Sequence, residues 1–100
     1  MLLWLLMRVV GVQALHGFCQ HHREVEGQVK AWIAEASEAT WQTTQDIKLR
    51  YASASFLSGN RVVFNLKGNR YRLLTKVTFK SQVVLVLKMG THAEYDKWEL

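Results

Sequence analysis

The feature that most constrains this chain is a change in the spacing of its apolar residues near the midpoint. In residues 24–39 they recur every three or four positions, at Val25, Val29, Trp32, Ile33 and Ala36. From residue 61 onwards they recur at every second position. The first spacing is typical of a helix with one buried face, and the second of strands with one buried face. The two together predict an α+β fold.

Two further helices are predicted around this main one. Apolar residues over 12–19 indicate a helix that ends near the polar cluster starting at Gln20. Thr43, followed three residues later by Asp46, resembles a capping box and predicts a short helical turn through Ile47 and Leu49.

Strands are predicted over residues 8–12, 61–67, 70–79 and 83–89, with a loop over 53–60. Gly68 and Asn69 are a two-residue hairpin signal, and residues 80–82 form the next turn. This hairpin would bring four pairs of residues opposite each other: Lys67 with Arg70, Asn65 with Arg72, Val63 with Leu74, and Arg61 with Lys76.

Cross-strand partners share a face, so the two faces of this hairpin differ sharply. One is apolar and suits the helices: Val62, Phe64, Leu66, Tyr71, Leu73, Thr75, Val77 and Phe79. The other carries Arg61, Asn65, Lys67, Arg70, Arg72 and Lys76. Two of the opposed pairs are like-charged, which destabilises a sheet. We therefore infer that the cations serve binding rather than stability.

The charge of the whole chain follows the same division. Residues 48–88 hold nine basic residues and no acidic one, whereas residues 1–47 and 89–100 each carry a net charge of −2, giving +5 in total. A polyanion such as RNA is the partner that this stretch predicts. The alternative is an ordinary solvated surface.

Length and composition exclude several other classes of protein. One hundred residues form one domain, and Cys19 alone allows neither an internal disulfide nor a structural zinc site. The apolar residues 1–6 are too few to span a membrane. We interpret them as an extension, with Met7 as an alternative start and residues 7–100 as the domain. A cytoplasmic location without membrane attachment is expected.

Residues 60–74 and the run Gly90-Thr-His-Ala-Glu-Tyr-Asp96 resemble the HigB family of bacterial toxins, relatives of the RelE ribonucleases. Residues 41–51 also match, and the resemblance extends over residues 7–98. It implies a RelE-like fold with two N-terminal helices packed on one face of a small antiparallel sheet. It further implies an endoribonuclease that cleaves mRNA, often during translation on the ribosome, and a cognate HigA-type helix-turn-helix antitoxin.

The resemblance also implies the chemistry: attack of a ribose 2′-hydroxyl on the adjacent phosphate, without metal or other cofactor. Arg72 would stabilise the phosphate, with Lys67 as the second cation, and His92 and Tyr95 would transfer protons. The further RNA-binding candidates are Arg61, Asn65, Asn69, Arg70, Lys76 and Lys88. Two alternatives stay open, because His92 could instead cap the final turn and Tyr95 could be a packing aromatic residue.

One position departs from the family pattern, since Leu87 stands where members commonly have Arg. Strand alternation places Lys88 on the opposite face unless a three-residue turn changes the register. The alternative function is therefore a catalytically weak or inactive RNA- or ribosome-binding protein of the same fold.

Overall fold

The computed structural model describes residues 6–100, which form a five-stranded sheet and four α-helices. The strands are β1 (Arg8–Val10), β2 (Ser55–Leu57), β3 (Arg61–Leu66), β4 (Tyr71–Thr78) and β5 (Val83–Thr91). The helices are α1 (Val12–His21), α2 (Glu26–Glu38), α3 (Thr44–Arg50) and α4 (His92–Tyr95). Residues 1–5 of the predicted extension lie outside the described residues, so its boundary at Met7 stays a prediction.

The strand order is β1-β5-β4-β3-β2, with β1 parallel to β5 and every other pair antiparallel. The α+β class is therefore confirmed, but the prediction of an antiparallel sheet is wrong. The sequence predicts an extended segment over residues 8–12, but the strand ends at Val10 and Val12 already begins α1. The sequence does not indicate the partner of this strand, and its pairing with the last strand makes the sheet mixed. The predicted helix arrangement is also incomplete, because α4 is a fourth helix.

Apolar residues of the first three helices meet one side of the sheet in a single core. Leu15 and Cys19 of α1, Val29, Trp32 and Ala36 of α2, and Ile47 of α3 are buried with Phe64, Leu73, Val77 and Val84 of the strands. The predicted capping box is present, since the Thr43 side chain accepts from the Asp46 backbone N–H and the Asp46 carboxylate accepts from that of Thr43. A 3₁₀ turn over Arg23–Val25 leads directly into α2.

The prediction of a loop over residues 53–60 is wrong, because β2 lies within it. Its three residues pair with Arg61–Val63 through a turn that contains Gly59 and Asn60, both with positive φ. A strand of three residues is too short to show an alternating pattern, which explains why the sequence does not reveal it.

The β3–β4 turn is longer than predicted. Its last pair is Leu66 with Tyr71, and Lys67 and Gly68 both have positive φ (51° and 66°). The predicted pair of Lys67 with Arg70 is therefore wrong. The other three pairs are confirmed, because losing one residue from each strand leaves their register unchanged.

A β-bulge interrupts the pairing of β4 with β5. Thr75 pairs with Val86 but Leu74 pairs with Lys88, so Leu87 is the extra residue. The bulge reverses the alternation of β5, and Lys88 therefore shares a face with Leu74. The strand also continues to Thr91, two residues beyond its predicted end.

None of the helices in residues 6–100 combines the length and apolar character needed to cross a lipid bilayer.

Candidate nucleic-acid interface

The side of the sheet that faces away from α1, α2 and α3 will be called the outward face. It displays Arg61, Val63 and Asn65 of β3, Arg72, Leu74 and Lys76 of β4, and Lys88 and Gly90 of β5. Five of these eight residues have basic or amide side chains. The two apolar residues, Val63 and Leu74, are buried at the centre of the face. The outward face is thus polar at its margins and covered at its middle.

The C-terminal residues 91–100 supply that cover. A capping box between Thr91 and Glu94 starts α4 immediately after β5, and the backbone N–H of His92 donates to the carbonyl of Arg70 at 2.9 Å. Hydrogen bonding to Thr91 lowers the pKa of the Glu94 carboxyl, which favours the ionised form that the capping box requires.

Gly90 allows the cover to approach the sheet. It lies directly opposite Arg72, and a Cβ atom at this position would lie 2.7 Å from Cζ2 of Trp98 and 3.2 Å from Cβ of Glu94. A side chain here would displace the C-terminal residues. Close packing against Trp98 and Glu94 therefore explains why glycine occupies this position of the Gly-Thr-His run.

Two cations and two aromatic rings contact one another in sequence on the outward face, and this group will be called the cation–aromatic cluster. The Arg72 guanidinium carbon lies 5.3 Å from the ring centroid of Tyr95, and Nζ of Lys88 lies 5.1 Å from that of Trp98. The two rings meet edge to face at 5.5 Å. Each contact is within the range of a cation–π or aromatic pair.

Arg72 is the most unusual member of this cluster, because only 9% of its surface is exposed. Its Nη1 donates to the carbonyl of Asn69 at 2.8 Å and more weakly to that of Tyr71 at 3.4 Å. Within residues 6–100 the ion pairs are Arg23 with Glu26, Arg50 with Glu35, and His92 with Asp96. Arg72 thus has no carboxylate partner there.

His92 lies on the first turn of α4 and is half exposed. Its Nδ1 is 3.1 Å from Oδ2 of Asp96, one helical turn later. A carboxylate on one ring nitrogen fixes the orientation of an imidazole and leaves the other nitrogen for proton transfer. The His92 ring therefore contacts Asp96. It does not cap the N-terminus of α4, because Thr91 and Glu94 form that cap.

Lys67 is not on the outward face, which corrects the prediction that it shares a face with Arg72. It lies in the β3–β4 turn, and its Nζ donates to the carbonyl of Glu24 at 3.1 Å, on the side of the helices. Its left-handed backbone, which a pattern of alternating residues cannot reveal, redirects the side chain. Asn69 and Arg70 are exposed in the same turn, where their carbonyls accept from Arg72 and His92.

The other predicted residues of the outward face spread away from the cluster. Arg61 donates to the carbonyls of Ser58 and Leu100, and the amide of Asn65 donates to the carbonyl of Ser53. Lys76 is exposed. The structure therefore brings together Arg72, Tyr95 and Lys88, with His92 on the same short helix, but leaves Arg61 and Lys76 further along the sheet.

Sequence reasoning missed two residues of this region. Asp96 stands four residues after His92, a spacing that places two side chains on one face of a helix and could have been recognised. Trp98 has no motif of its own, and only its packing against Gly90 and Lys88 reveals its role. Lys88 reaches the outward face through the bulge at Leu87 and not through a three-residue turn.

Comparison with known protein families gives a match over most of the chain. A family model described as HigB_toxin, a RelE-like toxic component of a toxin–antitoxin system, matches residues 25–98. The match begins after β1 and α1 and includes the sheet strands β2 to β5, α4 and Trp98. A comparison with curated proteins returned no match.

Proposed function

Because the chain belongs to the HigB family, the RelE-like toxic components of toxin–antitoxin systems, we propose that it is an endoribonuclease that cleaves mRNA on the translating ribosome. Cleavage inhibits translation and growth, proceeds without a metal ion, and takes place on the outward face.

The observation that carries this proposal is the burial of Arg72 without a carboxylate partner among residues 6–100. A buried charge destabilises a protein unless it is paired, so a guanidinium held mainly by carbonyls and an aromatic ring is suited to an external anion. Arginine binds phosphate through two parallel hydrogen bonds. Lys88 adds a second positive charge to the same cluster.

The proposed reaction uses these groups as follows. The ribose 2′-hydroxyl loses its proton to a base as its oxygen forms a bond to the adjacent phosphorus. The bond from phosphorus to the 5′-oxygen breaks, and this oxygen takes a proton from an acid. The products are a 2′,3′-cyclic phosphate and a 5′-hydroxyl.

His92, oriented by Asp96, is assigned one of the two proton transfers, and Tyr95 the other. Each general acid or base contributes about 10²- to 10⁴-fold to the rate. Arg72 and Lys88 stabilise the negative charge that accumulates on the phosphorane, and Lys88 takes the place that the sequence interpretation gave to Lys67.

The antitoxin, of HigA type, would inhibit the enzyme by laying an acidic segment over the outward face. The cations of this face form no ion pair within residues 6–100, which supports that mode because an acidic partner complements them. We place the protein in the cytoplasm, where mRNA and ribosomes are found. The complex should co-purify at low salt and dissociate more readily when Arg72 and Lys88 are both replaced by Ala.

Mapping of cleavage sites tests the proposal. Purified protein is incubated with a defined mRNA in two samples, and new 5′ ends are located by primer extension. In one sample the mRNA is free and EDTA is present. In the other it is translated in an extract that contains magnesium in excess of the chelator. We expect ends in the translating sample that disappear with Arg72→Ala and with His92→Ala. Lys80→Ala, a charge change in the β4–β5 turn, is the matched control and should cleave normally.

Two results would contradict the proposal. Unchanged cleavage in both variants would remove these residues from the mechanism. Binding of RNA without new ends in either sample would favour the alternative, a non-catalytic RNA- or ribosome-binding protein, whose affinity would fall with salt at a log–log slope of about −0.7 per phosphate contacted.

A further inference from the structure

Three exposed apolar side chains lie together on the outward face, next to the cation–aromatic cluster. They belong to Val10 of β1 and to Leu85 and Leu87 of β5, and this group will be called the apolar strip. Their exposed fractions are 38%, 37% and 42%, whereas Val84 and Val86, which alternate with them along β5, are 0% and 7% exposed. The strip is therefore open to solvent on the side away from the core.

Strand pairing makes the apolar strip continuous. Val10 is directly opposite Leu85 in the parallel pair of β1 with β5, and Leu85 is opposite Lys76 in the antiparallel pair of β5 with β4. Paired strands lie about 4.8 Å apart, so these side chains are immediate neighbours. The bulge sets Leu87 and Lys88 together against one residue of β4, which brings the strip to the margin of the cluster.

The cover provided by the C-terminal residues stops short of the apolar strip. Tyr95 and Trp98 lie against Arg72, Lys88 and Gly90, near the end of β5. The strip lies on the earlier part of β5 and on β1, and its side chains stay exposed within residues 6–100. Single exposed apolar residues are common, but a contiguous group of them on an uncovered sheet face indicates a surface that binds a partner.

The residues that border the apolar strip are cations. Arg8 stands two residues before Val10 on β1, Lys76 lies on β4 and Lys88 follows the bulge, and all three are exposed. Strands β1, β4 and β5 contain no acidic residue. None of the three cations belongs to an ion pair within residues 6–100. A complementary partner therefore presents apolar side chains flanked by carboxylates.

Two other occupants complement this surface poorly. A second copy of the chain, which carries a net charge of +5, would set the bordering cations of one protomer against those of the other. RNA would gain little from aliphatic side chains, because its bases stack on aromatic rings or guanidinium groups and its phosphates bind cations. An acidic protein segment with an apolar face matches both the strip and its border.

We infer that the apolar strip binds an acidic amphipathic helix of the antitoxin. The inference deepens the proposed function, since it rests on the antitoxin partner but not on the nuclease. Leu or Val at every third or fourth position of the helix would pack on the strip, with Asp or Glu beside Arg8, Lys76 and Lys88. The helix would continue the layer that α4 begins and would lie next to the cation–aromatic cluster.

Binding of a synthetic peptide tests this inference. The peptide has about 14 residues, or about four helical turns, with Leu along one face and Glu on both flanks of that face. Fluorescence anisotropy of the labelled peptide gives its dissociation constant. We expect wild-type protein to bind it and to bind two control peptides much more weakly. In one control the same residues are reordered so that the leucines share no face, and in the other Lys replaces Glu.

Matched variants locate the binding site. Leu85→Ser and Leu87→Ser each remove an apolar contact and should weaken binding about five- to tenfold. Leu49→Ser changes an exposed leucine of α3 and should bind as the wild type does. If the serine variants of the strip fail to fold, as judged by thermal denaturation, Lys76→Glu provides the second test. It should weaken binding several-fold, whereas Lys30→Glu on α2 should not.

Failure of the acidic amphipathic peptide to bind, or equal binding by the wild type and the folded strip variants, would overturn the inference. Dimerisation or RNA binding that is lost in Leu85→Ser would also overturn it, because the strip would then serve a second copy or RNA.

Cleavage of mRNA by the same proteins separates this inference from the nuclease. Leu85→Ser should cleave normally, since the variant keeps the cation–aromatic cluster. Peptide binding at the strip by a protein that does not cleave mRNA would support the inference and contradict the nuclease. Cleavage by a protein that does not bind the peptide would contradict the inference alone.

Discussion

The two sides of the central sheet are built on different physical principles. On the side of α1, α2 and α3, strand residues such as Phe64 and Leu73 are fully buried among apolar neighbours. On the outward face, the rings of Tyr95 and Trp98 lie against the guanidinium of Arg72 and the ammonium of Lys88. Adjacent residues of β4 point to opposite sides of the sheet, so Leu73 lies in the apolar core and Arg72 lies on the outward face.

The different polarity of the buried side chains indicates which side of the sheet stabilises the fold. Burial of apolar surface stabilises a fold at about 25 cal/mol per Å², whereas a buried charge contributes little and can be destabilising even when it is hydrogen-bonded. The helix-covered side therefore holds the domain together. The outward face keeps a charge that stability alone does not favour, and this supports a role in binding an anion.

The largest effect should come from the helix-covered side. Leu73→Ala removes a fully buried side chain, and we expect the free energy of unfolding to fall by about 2 to 5 kcal/mol in urea denaturation. Leu49→Ala is the matched control, because Leu49 is 81% exposed and its loss should change the value by less than about 0.5 kcal/mol. A loss below about 1 kcal/mol for Leu73→Ala would contradict the assignment of this residue to the core.

The neighbouring residue should show the opposite behaviour. Arg72→Met keeps much of the side-chain volume and removes the charge. We therefore expect its free energy of unfolding to equal or exceed that of the wild type. Cleavage of mRNA should fall about 10²- to 10³-fold, as when one donor to a transition state is lost. Arg72→Lys keeps the charge without the two-pronged geometry and should be intermediate. Normal cleavage by Arg72→Met would contradict the proposed role of Arg72 in stabilising the phosphate.

A smaller effect is expected where the cover meets the sheet. Gly90→Ala introduces a Cβ that would lie 2.7 Å from Trp98, and overpacking of this kind costs about 1 to 3 kcal/mol. Cleavage should fall as well, since the shift moves Tyr95 away from Arg72. Gly17→Ala provides the control, because nothing lies within 4 Å of its Cβ and the substitution should stabilise α1 by about 1 kcal/mol. Equal effects of the two substitutions would contradict the close packing at Gly90.

The smallest effect concerns pH. Hydrogen bonds from Tyr51 and Arg50 lower the pKa of Glu35, and bonds from Thr91 lower that of Glu94. A carboxyl with a lowered pKa stabilises the folded protein fully above its unfolded pKa, near 4.5, and loses this contribution as the pH falls through the folded value. Glu35→Gln and Glu94→Gln should each reduce the acid dependence of the melting temperature below pH 5. An unchanged profile in both variants would contradict these assignments.

Most of the scaffold could be predicted from the sequence because it depends on local patterns. The period of apolar residues predicts α1, α2 and the three long strands, and the Thr43 to Asp46 spacing predicts α3. The partner of β1 could not be predicted, since pairing of distant strands leaves no mark in either segment. The three residues of β2 are too few to form a pattern.

The candidate site could be predicted only in part, for the same reason. Alternation correctly assigns Arg72 to the face opposite the helices, but it cannot foresee the left-handed Lys67 or the bulge at Leu87. These two irregularities take Lys67 off the outward face and place Lys88 on it. The burial of Arg72 under Tyr95 depends on the direction in which the chain turns after Gly90, which is a property of packing.

The most direct test of the account is to measure the free energy of unfolding of the wild type and Arg72→Met with and without a 2′-O-methyl RNA. A ligand at 100 times its dissociation constant stabilises a protein by about 2.7 kcal/mol. We predict that gain for the wild type and a much smaller one for Arg72→Met, which without RNA should be at least as stable as the wild type. Equal stabilisation of both proteins by RNA, with Arg72→Met the less stable of the two, would show that Arg72 serves the fold rather than the ligand.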